Sequence, residues 1–84
     1  MNDMDLPKIN IQETSLNIIR LMRKNHIDNY DLMMKLHYSS PTNIYSWKNG
    51  KNVPSIDSLV KLAFIFGCGI EDILVVDYPE GAET

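Results

Sequence analysis

The chain has 84 residues, enough for one small domain and too few for two, and its 44% hydrophobic content allows one compact core. No apolar run approaches the roughly 20 residues of a membrane span, the N-terminus lacks a basic-then-apolar secretory pattern, and the single Cys68 excludes an internal disulfide or a multi-cysteine metal site, which suits a reducing cytoplasm. The net charge of −3 opposes indiscriminate nucleic-acid binding, yet residues 8–53 carry +4 and residues 54–84 carry −5, so the local field differs from the sum.

Residues 1–9 show no periodicity and are expected to form a flexible arm before a domain over 10–76. Asn10 with Glu13 three residues on is a capping-box pattern that opens helix 1. Ile11, Ile18, Leu21 and Met22 repeat at helical spacing, Arg23 and Lys24 fall late, where cations suit the helix dipole, and His26 closes the helix. Asp28 and Asp31 repeat the capping signature before Leu32 and Leu36, so helix 2 is expected over about 29–36. His37, Tyr38, Ser39 and Ser40 form a tight corner. Ser40 and Pro41 read as N-cap and first-turn residues of helix 3, which ends at Gly50.

Helix 3 has two faces. At 100° per residue, Ile44 and Trp47 lie about 60° apart and turn inward, while Thr42, Ser46 and Asn49 fall roughly opposite with Tyr45 at the edge. A short helix with apolar anchors behind and small polar side chains in front has the shape to enter the major groove of DNA. Pro54 and Ser55 then restart the chain into helix 4, whose buried face is expected from Ile56, Leu59, Leu62, Ala63 and Phe66 and which Gly67 stops. Gly69 opens a short helix 5 through Ile70, Ile73 and Leu74. Val75 and Val76 either extend it or form a short strand, and a flexible tail is expected over 77–84.

Trp47 and Gly50, then Pro54-Ser55, the apolar set Leu59, Leu62, Ala63 and Phe66, then Gly67-Cys68-Gly69 and Ile73-Leu74 stand in the order found in one family. With Ile18, Ile27, Leu32, Leu36 and Ile44 in its apolar positions, residues 10–75 resemble the lambda-repressor-like (XRE, Cro/C1-type) helix-turn-helix DNA-binding domains. The resemblance implies an all-α, compact five-helix domain with helices 2 and 3 as the helix-turn-helix. This chain departs from the pattern at Met33, where the family has a small residue, and in a corner one residue longer, with His37 or Tyr38 where glycine is usual. Lys48 replaces a common Glu and Met22 a common Arg. The longer corner can relieve the need for glycine at positive φ.

Thr42, Tyr45, Ser46 and Asn49 are the candidate base contacts, and direct readout by Thr42 and Ser46 is modest because neither makes a two-pronged contact. Asn29, which matches a backbone-gripping position of the family, stands with Lys35, Asn43, Lys48, Lys51 and Asn52 as candidate phosphate contacts. Such contacts fix orientation without reading sequence. His26, His37 and Cys68 are not spaced as metal ligands, and neither an enzyme, a cofactor nor a small-molecule effector is expected. The expected function is a sequence-specific double-stranded DNA-binding transcriptional regulator, a repressor acting as a homodimer through Ile70, Ile73, Leu74, Val75 and Val76. The alternative is a protein-interaction module, antitoxin-like or an adaptor, that keeps the fold without binding DNA.

Overall fold

A computed structural model describes residues 6–80. Its order is β1 (Lys8–Ile9), α1 (Ile11–Lys24), α2 (Asn29–Lys35), α3 (Thr42–Lys48), α4 (Ile56–Phe66), a 3-10 turn (Ile70–Asp72) and β2 (Val76–Asp77). The all-α helix-turn-helix fold is present, but with four α-helices among the described residues rather than five. The expected fifth helix is a single 3-10 turn. Gly69 precedes it, and after three residues the chain extends toward β2, so a single i-to-i−4 bond, Leu74 N–H to the Ile70 carbonyl at 2.9 Å, forms and no ladder follows.

Sequence capping sets the helix starts. Asp28 Oδ1 accepts from the Asp31 N–H at 2.8 Å, and the Asp31 carboxylate accepts from the Asp28 N–H at 3.4 Å, a complete capping box. At α1 only half of the expected box forms: Asn10 Oδ1 accepts from the Glu13 N–H at 2.9 Å. The Asn10 N–H is taken instead by the Val75 carbonyl at 2.8 Å, and its side-chain amide donates to Asp77 at 3.1 Å. These bonds accompany an antiparallel pairing of Lys8 with Asp77 and Ile9 with Val76. Two residues of the segment expected as an arm, and the first of the expected tail, are thus fastened to each other.

All four helices end in the same way. After each, a residue at positive φ reverses the chain, and the next N–H reaches back to a carbonyl five residues earlier: Ile27 to Met22, Tyr38 to Met33, Lys51 to Ser46 and Cys68 to Ala63. This is the Schellman closure, which glycine normally supplies. Gly50 (φ 72°) and Gly67 (φ 68°) do so, but His26 (φ 56°) and His37 (φ 61°) do it with a Cβ in place. The longer corner therefore does not avoid the left-handed conformation. A left-handed L-residue costs roughly 1–2 kcal/mol, offset in part by the greater chain entropy of glycine. His37→Gly is expected to stabilise the domain by about 0.5–1 kcal/mol, read as a rise of a few degrees in the thermal midpoint.

The core gathers Ile18, Met22, Leu32, Leu36, Ile44, Trp47, Leu59, Leu62, Ala63, Phe66 and Ile73, all buried. Tyr38, in the lengthened corner, is not idle. Its ring meets Trp47 edge-on at 6.1 Å, and its hydroxyl bonds Ser58 Oγ at 2.9 Å, joining the corner to α4. Ile56, expected on the buried face of α4, is instead 80% exposed.

Candidate nucleic-acid interface

Ile44 and Trp47 hold α3 from behind, at 0% and 5% exposure. The Ser15 hydroxyl donates to the Lys48 carbonyl at 2.8 Å and fastens the end of α3 to α1. The opposite side is open: Thr42, Asn43, Tyr45 and Asn49 are exposed and Ser46 is half-buried. The expected base-contact residues therefore share one outward face. Ser40 does act at the start of α3, one residue earlier than a direct N-cap. Pro41 occupies that position without a side-chain bond, and Ser40 Oγ accepts from the Thr42 N–H at 3.1 Å and bonds the Thr42 hydroxyl at 2.7 Å.

Asn29 and Lys48 meet at the edge of this face, with Lys48 Nζ donating to Asn29 Oδ1 at 2.8 Å. An ammonium can only donate, so this bond fixes the amide orientation and leaves the Asn29 NH2 as the outward group. It presents donors, as a phosphate oxygen requires. Arg23, from the last turn of α1, lines the same shallow depression with Asn29, Lys48 and Asp28. Sequence reading treated Arg23 only as a helix-dipole residue; the signal was the cation itself, and the proximity is tertiary. Asp28 is held in its capping box. Lys51 and Asn52 are exposed just beyond α3, and both their N–H groups bond the Ser46 carbonyl.

Lys35 does not join this group. It ends α2, about 9 Å along the axis from Asn29, and lines a groove with Leu36, His37, Val60, Lys61, Phe64 and Ile65. Of the C-terminal residues expected to pair, Ile73 is 0% exposed and has no surface to offer a second copy. Ile70, Leu74, Val75 and Val76 are half-buried. Among the described residues no three His, Cys, Asp or Glu gather to hold a metal. Burial pushes the Cys68 thiol above its ordinary pKa, and nearby Asp72 and Glu71 push it the same way, so it stays a protonated, poor nucleophile.

Together the fold and the polar α3 face define a helix-turn-helix DNA-binding domain. The model of the Cro/C1-type HTH DNA-binding domain matches residues 17–78, and the chain belongs to that family. It is a DNA-binding transcriptional-regulator domain, and its partner is DNA. No curated protein and no solved structure matches the chain. No helix among the described residues is long and apolar enough to cross a membrane.

Proposed function

We propose that the chain is a sequence-specific repressor that occupies promoter DNA in the cytoplasm, as a homodimer with one copy per half-site. The observation that carries this is the split of α3 into a buried Ile44/Trp47 side and an open Thr42, Tyr45, Ser46 and Asn49 side. That side lies against base edges in the major groove. Asn29, Asn43, Lys48, Lys51 and Asn52, with Arg23 added, hold the phosphates along its edge. One module covers roughly 600–1,000 Å² and few bases, so two copies on half-sites one helical turn apart supply the missing affinity. Repression follows from steric occupancy and needs no cofactor or effector.

The test separates reading from gripping. Duplexes are first selected from a random pool by the wild-type chain. Lys51→Ala should then weaken binding to selected and unselected duplexes alike, whereas Thr42→Ala or Ser46→Ala should change which sequence is preferred. Equal losses on every duplex with all three variants would contradict the assignment of the α3 face. A chain that binds no duplex at low salt would favour the interaction-module alternative.

A further inference from the structure

The surface of α4 is unexplained by DNA binding. Ile56, Val60 and Phe64 are 80%, 52% and 88% exposed. Spaced four apart, they form one continuous ridge. Phe64 and Val60 also wall the groove of about 610 Å³ that runs to the end of α2. Three large apolar side chains in a row on a small domain mark a contact surface rather than scattered exposure.

We propose that this face pairs two copies of the chain, α4 against α4 and antiparallel, about a two-fold axis near Val60. The proposal rests on the homodimer reading above and assigns its interface. Its basis is self-complementarity. The apolar ridge is centred on Val60, so reversal lays Ile56 beside the second copy's Phe64. Asp57 and Lys61 flank the same ridge, joined at 2.9 Å within one copy. A perpendicular two-fold keeps that flank facing its own counterpart and reverses its order, bringing each Asp57 close to the other copy's Lys61. Both lie within a turn of the axis, so the pairing survives a crossing of about 50°. Among the described residues the groove beside Phe64 is lined by Lys35, His37 and Lys61, the last paired with its own Asp57, and by no carboxylate, and reversal brings the second copy's Asp57 toward that basic end. The C-terminal residues offer less: Ile73 is inside the core and its neighbours are half-buried.

Three side chains and one groove fall short of the roughly 800 Å² per partner typical of stable complexes, so the dimer is weak. Sedimentation of the full chain without DNA should show dimers at about 100 µM that dissociate on dilution to about 1 µM. Phe64→Lys should raise the dissociation constant at least about tenfold with helical circular dichroism unchanged, since Phe64 packs little within its own copy. A Val60→Cys/Cys68→Ser double variant should form a disulfide-linked dimer under mild oxidation faster than a Tyr30→Cys/Cys68→Ser control. A wild-type chain monomeric at 100 µM, a dimer indifferent to Phe64→Lys, or cross-linking no faster than the control overturns the assignment. A monomer that still binds duplex overturns this pairing alone, while a dimer that ignores duplex overturns the DNA-binding reading and leaves the pairing standing.

Discussion

Trp47→Ala is expected to lower the thermal midpoint by about 20 °C. Trp47 is 5% exposed in the core, edge-on to Tyr38 at 6.1 Å, and it anchors α3 beneath the polar face. Removing a buried Trp costs roughly 3–5 kcal/mol, part of it from the aromatic pair. A domain of this size holds only about 4–13 kcal/mol in total, and each kcal/mol moves the midpoint by roughly 4–8 °C. Thermal circular dichroism of wild type, Trp47→Ala and Trp47→Phe checks it. The Phe variant should lose much less, because the ring edge and most of the volume remain. A midpoint shift below about 5 °C in the Ala variant would mean that α3 is held by something other than this residue.

Much of the architecture could be read from residues whose local chemistry admits one solution. Asp28 with Asp31 starts α2, Gly50 and Gly67 close α3 and α4, and Ile44 with Trp47 forms the only apolar pair on α3 that can face a core. The misreadings share a cause, namely dependence on what lies across space. On α4 the spacing separated the buried Leu59, Leu62, Ala63 and Phe66 from the exposed Val60 and Phe64, but Ile56, on the same side as the buried set, is 80% exposed, because spacing does not say how far along the helix the core reaches. Asn10 fits a capping box, yet a distant Val75 carbonyl claims its N–H. His37 carries no glycine signal, but the Schellman bonds to Met33 and Met34 hold it left-handed all the same.

The candidate interface divides along the same line. Thr42, Tyr45, Ser46 and Asn49 follow from helical geometry alone, so their common face was legible. The phosphate edge was legible only in part. Lys35 sits on the wrong end of α2, Arg23 comes from another helix, and the Lys48–Asn29 bond joins residues 19 apart in sequence.

The second large expected effect is on DNA affinity. Arg23, Lys48 and Lys51 supply three cations at the α3 edge, and a dimer brings twice that number. Each phosphate neutralised releases condensed counterions, so six contacts give a log–log salt slope of about −5. Between 50 and 200 mM salt, affinity should fall about a thousandfold. A single copy would show half the slope and a loss of roughly 40-fold. The titration therefore reports the number of copies on the duplex as well as the binding itself. Lys35, which lines the groove between α2 and α4 and not the depression that holds Arg23, Asn29 and Lys48, should leave the slope unchanged when replaced by Ala.

The most direct measurement is that titration, made with the intact chain on random-sequence duplex from 50 to 200 mM salt. A slope near −5 that shrinks when Lys51 is changed to Ala is the expected result. Absent binding at 50 mM, or affinity indifferent to salt, would contradict a domain that grips DNA through the α3 edge.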